Sequence, residues 1–336
     1  MTKCSIIIPA YNRAALTRQC LETLLAYPPR CGAWEIIVVD DGSNDSTPQM
    51  LAGFGDRIRA ITQPRNAGFA TACNAGAEAS GGDFLVFLNN DIIPLSGWLD
   101  AMAHYADANP RVGVVGSKLL YPNGTVQHAG VVIMQNLFPL HIYNGFPAHH
   151  PAVNKSRRFR IVTGACMLLP RGVFHELAGF DTKYRTGFED TDLCLRAGEL
   201  GYEVHYCHQS VLIHLESVSE GRHDHADHNA RVFYERWRSK LAPDECQYYV
   251  EDGLLQLIYQ GFGRLKLVVS PLLAVVDHES SSRAVEQLLM RRAQQVHELL
   301  KENIMLRVAA ATDGGIPSAY VLPIQVGPAD SVGRAA

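Results

Sequence analysis

The chain has eight cysteines (Cys4, Cys20, Cys31, Cys73, Cys166, Cys194, Cys207, Cys246) but no C-x-x-C pair. That scatter lacks zinc-site and thioredoxin spacings. With most of the cysteines in apolar patterns, it points to reduced core thiols rather than a disulfide framework. The first strand-like run is not followed by G-x-G-x-x-G, the glycines that let a pyrophosphate approach a helix N-terminus, which argues against a dinucleotide-dependent dehydrogenase. Nor is there a glycine-rich phosphate loop with basic residues near the N-terminus, as a nucleotidyltransferase would need. Positive charge is not in excess: 30 Lys and Arg against 34 Asp and Glu leave a net charge of −4. Nucleic acid is therefore not an expected partner. The longest apolar run, residues 265–276, is interrupted by Lys266, Ser270 and Pro271 and is too short to span a bilayer. The sequence enters a strand-like segment at Cys4, with no room for a signal peptide. The expectation is a soluble, cytoplasmic protein without internal repeats.

What is present is an ordered α/β rhythm. Ser5–Ile8 is apolar, and leucines at helical spacing follow it (Leu16, Leu21, Leu24, Leu25). Glu35–Val39 is a second strand, Thr47-Pro48 opens a helix with a cap and a proline at its first position, and Ile58–Thr62 is a third strand. Gly68–Ala79 reads as a helix of small residues and Phe84–Leu88 as a fourth strand. This β-α-β-α order predicts a parallel, doubly wound sheet. From about residue 113 the texture shifts to short strands between turns, at 112–115, 131–134, 160–162 and 166–170, an antiparallel addition to the same sheet. A helix at 190–200, strands at 203–206 and 211–214, and a polar loop from 216 to about 229 complete it. The domain reading is 1–243 for the main domain (1–112 and 113–243 as its halves), 244–308 for a helical extension, and 309–336 for a loose tail. An amphipathic pattern at 284–306 suggests a helix for oligomer contact, a membrane-surface contact or a packed cap. Its mixed charges favour protein over lipid.

Ligands of open α/β sheets bind at the carboxyl ends of the strands, so the strand ends are where chemistry should sit. The first reads Pro9-Ala10-Tyr11-Asn12, an aromatic and an amide that could hold a nucleobase by stacking and hydrogen bonding; the alternative is that Tyr11 packs and Asn12 caps the next helix. The second ends in Asp40-Asp41-Gly42-Ser43. Two adjacent acids after a buried strand need donors, solvent or a cation. One could accept a pyrimidine imide N–H while the other faces backbone donors, unless both serve a capping turn. Arg65-Asn66-Ala67-Gly68 follows the third strand, where Arg65 could meet phosphate and Gly68 would allow close backbone approach. The fourth strand runs into Asn89-Asn90-Asp91, a place for a hard divalent cation and the phosphates it escorts, or for a simple turn. In Glu189-Asp190-Thr191-Asp192 three acids open a helix, which the macrodipole favours in any case. Glu189 or Asp190 at the helix mouth could also act as a general base. His214, at the end of a strand, could join Asp91 at a metal. The run His223, His225, His228, flanked by Arg222 and Arg231, reads as a solvated loop rather than a zinc site.

Taken in order, Ser5–Asn12, Val38–Ser43, Arg65–Phe69, Phe87–Asp91 and Gly187–Leu193 resemble glycosyltransferase family 2, the inverting enzymes of the GT-A fold. The resemblance covers about residues 3–240. It implies an α/β GT-A domain in which Pro9, Tyr11 and Asp41 hold the nucleotide base beside Asp40. Asn12, Arg65, Asn66, Gly68, Asn89 and Asn90 join the nucleotide-binding set. Asp91 would ligate Mn²⁺ or Mg²⁺ bridging the diphosphate, His214 would contact metal or phosphate, and Asp190, with Glu189 beside it, would be the catalytic base. The implied partners are a nucleoside diphosphate sugar (UDP- or dTDP-linked) and a carbohydrate or lipid-linked glycan acceptor, at the inner face of a membrane. Asn89 stands where the family's D-x-D motif begins with an acid, as in enzymes that build rhamnose-containing or other bacterial surface polysaccharides; Gln127-His128-Ala129-Gly130 has the same flavour. A catalytically degenerate nucleotide-sugar-binding or scaffolding protein is the alternative reading.

Overall fold

The computed structural model describes residues 3–215, 225–259 and 265–274. The amino-terminal part alternates as the sequence predicts: β1 (Cys4–Ala10), α1 (Ala14–Ala26), β2 (Trp34–Asp40), α2 (Thr47–Ala52), β3 (Arg59–Thr62), α3 (Phe69–Ala79) and β4 (Phe84–Leu88). Then come β5 (Ile92–Pro94), α4 (Trp98–Ala108), β6 (Val112–Leu120), β7 (Val126–His128), β8 (Val131–Ile133), β9 (Pro139–His141) and β10 (Arg157–Phe159). The chain continues through β11 (Cys166–Pro170), α5 (Arg171–Glu176), α6 (Glu189–Glu199), β12 (Glu203–His214), α7 (Ala226–Trp237) and α8 (Glu245–Glu251). A hairpin of β13 (Leu255–Tyr259) and β14 (Leu265–Val269) and the short α9 (Pro271–Ala274) follow.

One ten-stranded sheet carries the fold, ordered β10-β12-β6-β11-β4-β1-β2-β3, with β5 on β12 and β7 on β6. β4, β1, β2 and β3 are mutually parallel. β11 enters antiparallel between β4 and β6, and β12 returns parallel to β6. Strand periodicity explains why both faces are covered. Along β1, Ile7 points into one apolar cluster and Ile6 and Ile8 into the other. Along β4, Leu85 and Phe87 share the first cluster, and Phe84, Val86 and Leu88 the second. Strands buried on both faces read as continuous apolar runs, and each such side chain contributes about 1.5–3 kcal/mol on burial. Phe87 is the anchor of its layer, with ring centroids 5.0 Å from Phe174 and 4.9 Å from Phe180.

Several sequence-based expectations change. The two strands read at 203–206 and 211–214 are one strand, β12, whose register slips between Cys207 and Val211. The slip tolerates the polar His208-Gln209-Ser210 step because Ser210 turns inward to Ser117 Oγ at 2.8 Å. The strand expected at 160–162 lies earlier, as β10, and only Ile161 bridges to Val131. The loop expected to last until about 229 has become helix by Ala226, because Asn229 is fully buried and donates its amide to the Thr186 carbonyl at 2.7 Å. In the segment expected to be helical from 244, α8 is followed by the β13–β14 hairpin. Its Leu255-Gln256-Leu257 and Leu265-Lys266-Leu267 alternate apolar and polar residues in strand fashion. His223, Arg222, the 284–306 pattern and the 309–336 tail lie outside the described residues. All eight cysteines are free, and no helix among the described residues is long and apolar enough to cross a membrane.

Candidate active site

The strand ends of β1, β2, β4 and β12 and the N-terminus of α6 open on one cleft of about 1100 Å³. Pro9, Tyr11, Asn12, Asp41, Asn66, Gly68, Asn89, Asn90, Asp91, Glu189, Asp190 and His214 all line it; Asp40 and Arg65 do not. Arg65 is solvent-exposed.

On the β1–β2 side, short hydrogen bonds clip the loops together. Asn12 N–H donates to Ser43 Oγ at 2.7 Å, and Asn44 N–H donates to Asn12 Oδ1 at 2.9 Å. Asn12 therefore braces the second loop instead of capping α1, and it and Arg13 adopt left-handed backbone (φ 57° and 61°). Tyr11 keeps 42% of its surface exposed within the cleft. The two acids divide. Asp41 receives the N–H groups of Ala67 and Gly68 on its two oxygens, at 2.9 and 2.8 Å. Burial raises its pKa, the Asp40 charge adds to this, and the two N–H donors oppose it. Asp40 takes the Ser43 N–H on Oδ1 at 2.9 Å, and its buried Oδ2 has no hydrogen-bond partner among the described residues. Glycine at 68 is obligatory: φ is +93°, and a Cβ would stand 2.7 Å from the Arg185 carbonyl oxygen.

Asp91 and His214 meet where β4 and β12 end, with His214 Nε2 3.1 Å from Asp91 Oδ1. Gln127 Oε1 lies 2.6 Å from His214 Nδ1. As an acceptor it takes the proton of Nδ1, which would leave the Nε2 lone pair available to a cation shared with Asp91. A carboxylate oxygen and an imidazole lone pair suit a divalent cation. Adjacent ligands of an octahedral ion bound at about 2.1 Å lie about 3 Å apart, the separation found here. Among the described residues no group of three or more His, Cys, Asp or Glu side chains gathers at a candidate metal position. Diphosphate oxygens and water would have to complete the shell, as is usual for Mg²⁺. Asn90 is committed elsewhere, donating to Thr17 Oγ1 at 2.9 Å.

The acids of α6 also separate. Asp190 lines the cleft and accepts the Gly164 N–H on Oδ2 and the Thr191 N–H on Oδ1, both at 2.7 Å. Glu189 is buried beside it in the cleft wall. Asp192 faces away from the cleft, fully buried, receiving Arg196 Nε at 2.7 Å, Arg236 Nη1 at 2.8 Å and Trp237 Nε1 at 2.9 Å. Sequence reasoning missed Tyr121, Phe138, Pro139, His141 and Asn144, which also line the cleft, as do the cationic Arg13 and Arg185. Phe138 is 43% exposed and meets Phe188 edge-on at 5.9 Å. His225, read as part of a solvated loop, lines the cleft as well. The β8–β9 pairing carries in Phe138, Pro139 and His141, and His225 stands at the start of α7.

A largely parallel strand–helix half, antiparallel return strands and one cleft at the strand ends define the GT-A class of glycosyltransferase folds. Residues 5–178 match Glycosyl transferase family 2, and the chain belongs to that family. It is 34% identical over 255 residues to the O-antigen biosynthesis protein RfbC of Myxococcus xanthus, covering 74% of this chain and 20% of that protein. It is 28% identical over 218 residues to the N-acetylglucosaminyl-diphospho-decaprenol L-rhamnosyltransferase of Mycobacterium tuberculosis, covering 58% of this chain and 70% of that one. The fold matches the mannosyltransferase PcManGT of Pyrobaculum calidifontis, solved with GDP-Man and Mn²⁺, with a TM-score of 0.53 at 20% identity over 75% of this chain and 69% of that one.

Proposed function

We propose that this chain is an inverting glycosyltransferase that moves a sugar from a UDP- or dTDP-linked donor to an acceptor hydroxyl in bacterial surface polysaccharide or glycoconjugate synthesis. The observation that carries this reading is the meeting of the Asp91–His214 pair and the Asp190 carboxylate in one cleft. A donor's base would lie against Tyr11 and Pro9, with the Asp41 loop offering polar contacts. Asp91 and His214 would hold a Mn²⁺ or Mg²⁺ ion, which when bound supplies Lewis-acid stabilisation of a leaving diphosphate. Arg13 and Arg185 add positive charge to the same lining.

Asp190 accepts the proton of the acceptor hydroxyl as its oxygen attacks the anomeric carbon. The Gly164 N–H holds Oδ2 and the Thr191 N–H holds Oδ1, so the carboxylate needs little reorganisation as it takes the proton. The exposed Phe138 ring and the Tyr121–Asn144 pair (Asn144 Nδ2 to Tyr121 Oη, 3.0 Å) form the wall open to an acceptor. The M. tuberculosis relative is named for a lipid-linked acceptor, and a lipid-linked glycan is the acceptor class proposed here. Thermal stabilisation by a panel of UDP-, dTDP- and GDP-sugars, with Mn²⁺ and with EDTA, tests the reading. The expected result is stabilisation by one nucleotide class, lost in EDTA. No stabilisation by any member would reject it.

A further inference from the structure

Behind the cleft lies a histidine that the transfer chemistry does not touch. His128 on β7 is fully buried, with Nδ1 2.8 Å from the Ser117 carbonyl oxygen and Nε2 3.2 Å from the Thr163 backbone nitrogen. A carbonyl oxygen only accepts, so Nδ1 must carry the proton; an amide N–H only donates, so Nε2 must accept. Both ring contacts are satisfied by a single neutral tautomer. Burial lowers the pKa well below the usual histidine value, and the nearby His141 and His214 lower it further.

Thr163 begins a three-residue turn with a specific task. The next N–H, that of Gly164, holds Asp190 Oδ2 at 2.7 Å, and Ala165 C=O accepts the Asn89 N–H at 3.0 Å. Thr163 Oγ1 closes the turn on the Ala165 N–H at 3.3 Å. The backbone at position 164 passes close to the acid, since an added Cβ would sit 3.0 Å from Asp190 Cβ. The turn thus touches the acid on α6 at one end and the Asn89–Asp91 strand end at the other, and His128 grips it from below. Gln127, the residue before His128, orients His214 from the same strand.

We propose that His128 is a positioning residue for the transfer reaction. Acting through the Thr163-Gly164-Ala165 turn, its neutral Nε2 fixes the Asp190 carboxylate relative to the Asn89–Asp91 strand end. The inference rests on reading Asp190 as the base. It differs from a plain packing role in what it demands of the side chain: an acceptor at the Nε2 position, not merely a filled volume.

The test compares His128→Gln, which can place an acceptor near the Nε2 position, with His128→Asn, which reaches only as far as Nδ1. The readout is hydrolysis of the nucleotide sugar that best stabilises the wild-type protein, with the melting temperature recorded for each variant. His128→Gln should keep kcat within about threefold. His128→Asn should lose about 10–100-fold in kcat at unchanged donor KM, the scale of a small misplacement of a reacting group. Wild-type kcat in His128→Asn overturns the proposal, as does an equal kcat loss in both variants that follows their melting temperatures. Should both variants fail to fold, long-range ¹H–¹⁵N spectra of the histidine-labelled wild type at pH 7 decide the matter: His128 as the Nδ1–H tautomer supports the proposal, and the Nε2–H or cationic form overturns it. Asp190→Asn is the control. Activity in that variant rejects the base reading itself, whereas an inactive Asp190→Asn beside a normal His128→Asn rejects only the positioning role.

Discussion

Asp190 and Asp192 stand two residues apart in the first turn of α6 and face opposite ways. The Asp190 carboxylate lines the cleft on the Gly164 N–H, whereas Asp192 is fully buried among Arg196, Arg236 and Trp237. A helix turns about 100° per residue, so a spacing of two places side chains on nearly opposite sides. The same short acidic run therefore supplies one carboxylate to the cleft and one that locks α6 to α7.

Substitution should separate the two. Asp190→Asn can keep one of the two backbone N–H contacts and is expected to lower kcat by about 10²–10⁴-fold, the range for a general base, with donor affinity nearly unchanged and a smaller stability loss than at Asp192. Asp192→Ala leaves two guanidinium groups around an empty site and should destabilise the fold by about 3–5 kcal/mol. Paired denaturation and turnover measurements check both; a stability loss at Asp190 equal to that at Asp192 would contradict the division.

The Asp91–His214 pair predicts coupled loss of metal and donor. Asp91→Ala should weaken Mn²⁺ and nucleotide-sugar binding together in calorimetry. Gln127→Ala, which removes the partner of His214 Nδ1, should weaken metal affinity by about 10–100-fold. Metal affinity unaltered in both variants would exclude this pair as the cation site.

Glu245 gives a pH dependence remote from the cleft. It is buried beside Asp244, and burial first, then the Asp244 charge, raises its pKa from 4.5 to about 7. Between those values the folded state binds more protons than the unfolded one, so stability falls as pH rises from about 4.5 to 7 and then levels off. At 1.36 kcal/mol per pH unit the cost is on the order of 3 kcal/mol. Glu245→Gln should match the wild type near pH 4 and exceed its melting temperature at pH 8; an identical profile at both pH values would refute this origin.

Gly68→Ala places a Cβ against the Arg185 carbonyl at a positive φ. The strain is expected to cost about 1–3 kcal/mol and to disturb the Asp41 contact with the Gly68 N–H. Melting temperature should fall, with weaker nucleotide-sugar binding, measured by calorimetry on the folded variant at low temperature.

The apolar runs of β1, β2 and β4 and the polar residues at their ends could be read directly, since a strand buried on both faces must be apolar and its end is the first place a polar group can reach solvent or ligand. The ordered motifs from Ser5 to Leu193 were enough to point to the family. The division of labour within each motif was not legible. Asp40 and Asp41 are adjacent identical acids, and only the return of the Ala67-Gly68 loop engages both oxygens of one and leaves Oδ2 of the other unbonded. Gln127-His128 carried a resemblance but no role, and Phe138 and Gly164 carried no local signal, because what these residues do arises from contacts with residues tens of positions away. The sequence by itself determined the strand–helix order of the amino-terminal part, the family and the acids to watch. Which acid faces the cleft, what holds it there and which distant residues line the cleft with it were decided by tertiary packing, because a side chain's partner depends on the segments brought against it rather than on its neighbours in the chain.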